Sequence, residues 1–220
     1  MVSLLSDISH QIKTPLASMI VYNDIMINKS ITKEQSQKFL INNEVQLNRI
    51  NWLIQSLLKL AKIDAKAIEF NKEEESLENT IYEAIETLEV NARRNKVNID
   101  FIEHENITMC HDTLWLQEAL INIIKNGIEH TDEGGNIAVS LLQKPIYKRI
   151  VIEDTGSGIS EEDLPHIFKR FYKGKLSKKS DSVGIGLALS KSIVEAHNGI
   201  IEVESAVQRG TKFIITFYNY

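Results

Sequence analysis

Two periodicities divide this chain of 220 residues. From residue 3 to residue 65 apolar positions recur three and four apart. Leu5, Ile8, Ile12, Leu16, Met19 and Ile20 mark one face of a first helix. The run Asn28-Lys29-Ser30-Ile31 breaks the pattern. Thr32 then opens a second helix, with Gln35 placed to complete a capping box. Phe39, Leu40, Val45, Leu47, Ile50, Leu53, Ile54, Leu57, Leu58, Ala61 and Ile63 form its apolar stripe. At the rise of an α-helix, roughly 30 residues make a rod of about 45 Å. Two helices joined by a short loop predict an antiparallel hairpin. A hairpin alone cannot hide both stripes. A second copy completing a four-helix bundle is the expected remedy, and packing against the rest of the chain is the alternative. Pro15 lacks the N–H that would bond the carbonyl of Gln11, which predicts a kink just after His10.

From about Ala67 short strand-like runs alternate with helices. Strands are predicted at 98–102, 137–142, 149–153, 200–204 and 211–217, and helices at 77–94, 113–130 and 186–197. Val207-Gln208-Arg209-Gly210 reads as a hairpin turn. Mixed, mostly antiparallel strands with helices on one face make an α+β sandwich. The expected organisation is a helical hairpin over residues 1–66 and an α+β domain over 67–220, with a hinge near Asp64–Glu69.

Composition narrows the classes. The net charge of -5 argues against a nucleic-acid partner, which would call for a basic face. The single cysteine, Cys110, excludes an intrachain disulfide. Its apolar surroundings predict a small core residue. No run of about 18 apolar residues exists to span a membrane, and no signal peptide is visible. Helical patterning begins almost at Met1, which predicts a piece cut from something longer.

Several groups carry chemistry. His10 lies on an amphipathic helix beside Lys13 and Thr14. A neutral imidazole is a good nucleophile toward phosphorus. Asn122 and Asn126 stand four apart on one helix face, where amide oxygens can ligate a hard Mg²⁺ without adding charge. Asp154-Thr155-Gly156-Ser157-Gly158 follows a predicted strand. Its carboxylate can accept from an exocyclic amino group, and its glycines allow a ring to come close. The ordinary alternative is a strand-end turn. The stretch Gly174–Ser182 is polar and basic and reads as a lid. In Gly184-Ile185-Gly186-Leu187, backbone N–H groups at a helix start can cradle phosphate oxygens.

Ser9-His10-x-x-Lys13-Thr14-Pro15-Leu16 resembles the histidine motif of bacterial two-component sensor histidine kinases. The asparagine segment ending in His130-Thr131 is similar to that family's N box, and Asp154–Gly158 to its G1 box. Ile167–Lys173 is similar to the F box, Gly184–Leu187 to the G2 box, and Gly210-Thr211 to the last, weakest motif. The resemblance covers essentially the whole chain. It implies a dimerisation and histidine-phosphotransfer hairpin followed by an ATP-binding domain of the GHKL (Bergerat) type. It also implies ATP-dependent phosphorylation of His10 and transfer to an aspartate on the receiver domain of a response regulator. Gln11 and Thr14 join His10 as catalytic residues, Thr14 through phosphatase activity toward the regulator or, alternatively, only as a hydroxyl bonded to the carbonyl of His10. The nucleotide is assigned to Asn122, Asn126, His130, Asp154, Gly156, Gly158, Ile159, Tyr172, Lys173, Gly184, Ile185, Gly186 and Leu187, with Mg²⁺ on Asn126 supported by Asn122. A homodimer is implied, as the cytoplasmic part of a membrane-anchored bacterial protein whose sensing segment lies outside this chain.

Three positions depart from the family, the mildest being Ala188, where a further glycine is usual. Gln11 stands where a carboxylate is usual, which predicts slower phosphorylation of His10. Glu129 stands where a cation is usual, so Lys125 or Lys173 would supply that phosphate contact. A GHKL protein that only hydrolyses ATP is a rival reading, weakened by the absence of a carboxylate at Asn122. A scaffold or phosphatase-biased protein is another, motivated by Gln11.

Overall fold

A computed structural model describes residues 2–102, 107–174 and 183–219. It divides into two compact units, residues 1–59 and 60–220.

The first unit is a helical hairpin. Helix α1 spans Val2–Asn28 and α2 spans Lys33–Asp64, running on past the end of the unit. The capping box forms: Thr32 N–H donates to Gln35 Oε1 at 3.0 Å, and Gln35 N–H donates to Thr32 Oγ1 at 3.2 Å. Two orphan donors of the α2 terminus are thereby satisfied. The helices pair through Tyr22 stacked on Phe39, ring centroids 5.4 Å apart, and through Asn43 Nδ2 donating to Asn23 Oδ1 at 2.9 Å. Pro15, Asn43, Leu53 and Ser56 are buried. Pro15 lies inside α1, which runs unbroken from Val2 to Asn28. Leu40, Leu47 and Ile54, seven residues apart, stay exposed, as do Ile20 and Val21 on α1.

The second unit is an α+β sandwich. In order it contains β1 (Glu73–Ser76), α3 (Leu77–Asn95), β2 (Asn98–Ile102), β3 (Thr108–His111) and α4 (Thr113–His130). Then come β4 (Asn136–Lys144), β5 (Tyr147–Asp154), a 3-10 turn (Leu164–His166), α5 (Gly186–Ala196), β6 (Gly199–Ser205) and β7 (Thr211–Tyr218). The main sheet has the order β2-β4-β5-β7-β6 and is parallel only between β2 and β4. Alternate residues of β4, β5 and β7, among them Val139, Ile152 and Phe213, share one core with Leu120, Ile123 and Ile124 of α4. Each such side chain contributes about 1.5–3 kcal/mol on burial.

Strands β1 and β3 form a separate antiparallel ribbon that the pattern did not predict. Strand β1 reads Glu-Glu-Glu-Ser and has no apolar alternation. In β3 Met109 and His111 turn inward, so Cys110 turns out. Cys110 is therefore exposed rather than a core residue.

Asp112 caps α4. Its Oδ1 accepts from Trp115 N–H at 3.2 Å, and its Oδ2 accepts from Asn71 N–H at 2.9 Å. Its own N–H donates to His197 Nε2 at 3.1 Å. Since Nε2 is an acceptor, the proton sits on Nδ1, which donates to the carbonyl of Ile193 at 2.8 Å. Burial holds the His197 imidazole below its ordinary pKa. Phe70 lies edge-on against both Trp115 and His197, and Lys72 Nζ donates to the carbonyl of Ala196 at 2.8 Å. The segment before β1 thus straps the start of α4 to the end of α5. The opposite ends of these helices carry the predicted site.

Candidate active site

Asp154 ends β5 and is 6% exposed. Its Oδ1 accepts from Gly156 N–H at 2.8 Å and from Thr211 N–H at 3.2 Å. Oδ2 accepts from none of the described residues. Burial pushes the carboxyl up to about 6, against the two backbone bonds, which favour the charged form. One oxygen is fixed by the protein and the other is left for a donor.

The turn after Asp154 is clamped on both sides. A side chain at Gly156 would collide with the carbonyl of His130 and with the Asp154 carboxylate. Ser157 N–H donates to that same His130 carbonyl at 3.0 Å. Gly158 has φ +69° and no room for a Cβ against the carbonyl of Ala206. Ile159, half-buried against the core, donates its N–H to Ser205 Oγ at 2.9 Å, and Ser205 Oγ donates to the carbonyl of Gly210 at 2.7 Å. The end of α4 and the β6–β7 hairpin therefore hold Asp154 from opposite sides. Thr211 and Ser205 belong to this clamp and were not among the predicted site residues. The weak Gly210-Thr211 pair was the only sequence signal for it.

Asn122, Asn126 and His130 are half-buried along α4. Gly127 lets the helix lie against the sheet, since a Cβ there would stand 3.2 Å from Ile137 Cδ1 and 3.6 Å from Asp154 Cβ. Buried Ser190 donates to the carbonyl of Ala119 at 3.0 Å and so locks α5 to α4. Beside this lock a Cβ on Gly186 would lie 3.3 Å from Asn122 Oδ1, so the N-terminus of α5 and the asparagine face meet. Among the described residues no side-chain hydrogen bond caps α5 at that end. Ile185 and Leu187 anchor the turn, the first fully buried and the second packed on the core. The donor set suits a hard cation: two neutral amide oxygens four residues apart, open beside a glycine, with charge left to a phosphate. Among the described residues no cluster of three His, Cys, Asp or Glu side chains offers a rival metal site. Lys125 Nζ lies 3.9 Å from Glu129 Oε1, so the acidic departure at Glu129 faces a cation of its own helix.

Tyr172 is half-buried and Lys173 exposed. The Tyr172 hydroxyl donates to Asp163 Oδ1 at 2.6 Å, a bond that pushes the phenol above its ordinary pKa. Gly184 has φ +76°, and a side chain there would run into the carbonyl of Tyr172. Most of the basic stretch, residues 175–182, lies outside the described residues.

On the hairpin, His10 is exposed near the start of α1, with Gln11 half-buried and Thr14 exposed. Thr14 Oγ1 donates to the carbonyl of His10 at 3.2 Å.

Fold and geometry together define a class: a GHKL-type ATP-binding sandwich in one chain with a helical hairpin that displays a histidine. Two family models match. "His Kinase A (phospho-acceptor) domain" covers residues 1–66, and "Histidine kinase-, DNA gyrase B-, and HSP90-like ATPase" covers residues 111–219. The sensor histidine kinase CusS of Escherichia coli (strain K12) is 31% identical over 96% of this chain and 44% of CusS. The chain thus spans less than half the length of that relative. The structure of the Acinetobacter baumannii histidine kinase AdeS is similar with a TM-score of 0.76 at 21% identity, covering 95% of this chain and 97% of that one. The histidine kinase ThkA, solved in complex with the response regulator TrrA, gives a TM-score of 0.78 at 20% identity over 99% of this chain and 61% of that one. These two likenesses speak for the fold. The chain belongs to the two-component sensor histidine kinases.

Proposed function

We propose that this chain is the kinase region of a sensor protein, with a hairpin over about 1–66 and an ATP-binding domain over about 67–220, and that it phosphorylates His10 from ATP. The observation that carries the reading is Asp154. A buried carboxylate at a strand end, with one oxygen held by two backbone N–H groups, leaves the other for the adenine amino group. Guanine presents a carbonyl at that edge and is repelled. Gly156 and Gly158 let the turn pack against the carbonyls of His130 and Ala206 and so hold Asp154 toward the ring, with His130 and Ile159 at its rim. Tyr172 covers the nucleotide and Lys173 reaches its phosphates. The uncapped N-terminus of α5, at Gly184–Leu187, receives phosphate oxygens through its N–H groups. Asn126, supported by Asn122, holds Mg²⁺, which supplies neutralising charge to the phosphates.

At the hairpin, Gln11 accepts from Nδ1–H of His10 through its amide oxygen, keeping Nε2 unprotonated. Nε2 attacks the γ-phosphorus in line. The new N–P bond forms as the bridging β–γ oxygen leaves with ADP. The phosphoryl group then passes to an aspartate of a response regulator, a partner class supported by the ThkA complex. The bond from Thr14 to the His10 carbonyl leaves the hydroxyl oxygen able to accept from a water, in keeping with a phosphatase role. Two copies join through the exposed stripe of the hairpin. Among the described residues no helix is long and apolar enough to cross a membrane. The chain is proposed as the cytoplasmic part of a membrane-anchored sensor.

Incubation with γ-labelled ATP tests this. Label that is acid-labile, alkali-stable and lost in His10→Gln is expected. Free phosphate without label would mean a hydrolase instead, and ATP binding with neither would mean a scaffold.

A further inference from the structure

A second carboxylate lies near the nucleotide site and has no part in the mechanism above. Asp163 is 2% exposed. Burying a carboxylate is costly unless it is held by partners. Its backbone is fixed by Ser160, whose carbonyl and Oγ both accept from Asp163 N–H, at 3.0 and 3.2 Å. Its carboxylate faces the chain that enters the basic stretch. Oδ1 accepts from the Tyr172 hydroxyl at 2.6 Å, and a Cβ placed on Gly174 would come within 3.1 Å of Oδ2. The His166 ring meets the Tyr172 ring edge-on at 5.5 Å.

Tyr172 is also held at its other end. Its carbonyl occupies the space a side chain would need at Gly184. Phe171, in the left-handed region at φ +62°, donates its N–H to the carbonyl of Gly184 at 2.7 Å. Such a conformation costs a non-glycine residue on the order of 1–3 kcal/mol and persists only where its surroundings over-determine it. The ring is thus tied at its hydroxyl to Asp163 and at its backbone to the turn that starts α5.

We infer that Asp163 is a positioning residue for the nucleotide: it orients the Tyr172 ring over ATP and registers that ring against the phosphate-binding turn at Gly184. The inference rests on the placement of Tyr172 at the nucleotide proposed above.

The test uses the full chain, with ATP affinity by calorimetry and KM and kcat for His10 labelling. Tyr172→Phe and Asp163→Ala should each raise the KM for ATP about fivefold, the scale of one hydrogen bond, with kcat within about twofold. The double variant should be no worse than either single one, because both remove the same bond. Asp163→Asn keeps an accepting oxygen and should restore a near wild-type KM, whereas Asp163→Leu, which fills the space without an acceptor, should not; equal behaviour of the two would reduce Asp163 to a space-filling role. Tyr172→Phe removes one atom from a half-buried ring, so it remains informative even if Asp163→Ala fails to fold. Tyr172→Ala separates the two layers. If it leaves ATP affinity unchanged, Tyr172 is not at the nucleotide and that placement falls. If it weakens affinity while Tyr172→Phe does not, or if the singles multiply to about 25-fold in the double, the role of Asp163 is overturned.

Discussion

At neutral pH the Asp154 carboxylate is ionised in a place that resists its charge. Its pKa stands at about 6 in the fold, against 3.8 in its absence. Between those values the folded chain binds more protons than the unfolded one, so stability falls as pH rises from about 4 to 6 and stays lowered above. The cost at neutral pH is on the order of 3 kcal/mol. Asp154→Asn should therefore raise the melting temperature at pH 8 while lowering ATP affinity at least tenfold. The amide can still take the two backbone bonds on its oxygen, but it then turns a donor toward the adenine amino group. Calorimetry reads both effects, and a variant that binds ATP normally would remove Asp154 from the adenine site. The same carboxylate should give wild-type affinity a downturn below about pH 6, as the acceptor protonates. Subtracting the pH profile of Asp154→Asn removes the titration of the phosphates. Gln11 is the second test at this scale. A carboxylate makes a charge-assisted bond to Nδ1–H roughly twice as strong as an amide's. Gln11→Glu should speed His10 labelling about fivefold in single-turnover kinetics, and an unchanged or slower rate would remove Gln11 as the limiting feature.

Among the elements, α4 and α5 carry the site at one end and are strapped at the other. Asp112 joins the cap of α4 to the strap through Asn71. Asp112→Ala removes both bonds, worth about 2 kcal/mol together. For a unit of this size that is a loss of about 4–8 °C in melting temperature. ATP affinity should change less than about threefold, since the lost bonds lie at the far end of the helix. An unshifted melting curve would show that Asp112 does not hold the strap. What sequence shows, and what it hides, also sorts by element. The helices α3, α4 and α5 and the strands of the main sheet announce themselves because one face of each is buried in a common core, which forces apolar spacing. The ribbon of β1 and β3 does not, because Glu73, Glu74 and Glu75 face solvent and leave no period to read. Cys110 differs from its apolar neighbour Met109 for another reason: inward and outward alternate along β3, so the two face opposite sides. Within the proposed site, the residues assigned roles through their own side chains, such as Asp154 and the Asn122–Asn126 pair, carry a sequence signal. Residues that act by holding others do not. Thr211 works through its backbone N–H, and Ser205 and Asp163 through partners many positions away.

For the molecule as a whole, the hairpin leaves too much apolar surface uncovered to stand as a single copy. Leu40 at 57%, Leu47 at 54% and Ile54 at 42% exposure recur every seven residues, the spacing of a helix–helix seam. Such a stripe is covered by another copy or by the rest of the chain, or else it drives aggregation. Burying the remainder of each of these side chains yields about 1 kcal/mol, and a two-fold dimer counts every residue twice. Leu40→Glu with Leu47→Glu removes four apolar contacts and puts four like charges into the seam. That should weaken association by well over a hundredfold, enough to make a micromolar dimer into a monomer by analytical ultracentrifugation. The ATP-binding unit has its own core, with Ile123, Ile124 and Ile137 fully buried. Its affinity for ATP should therefore stay within about twofold of wild type. A chain that remains dimeric after both substitutions would place the interface elsewhere. A chain that loses ATP binding along with dimerisation would show that the nucleotide site depends on the assembled bundle rather than on the sandwich alone.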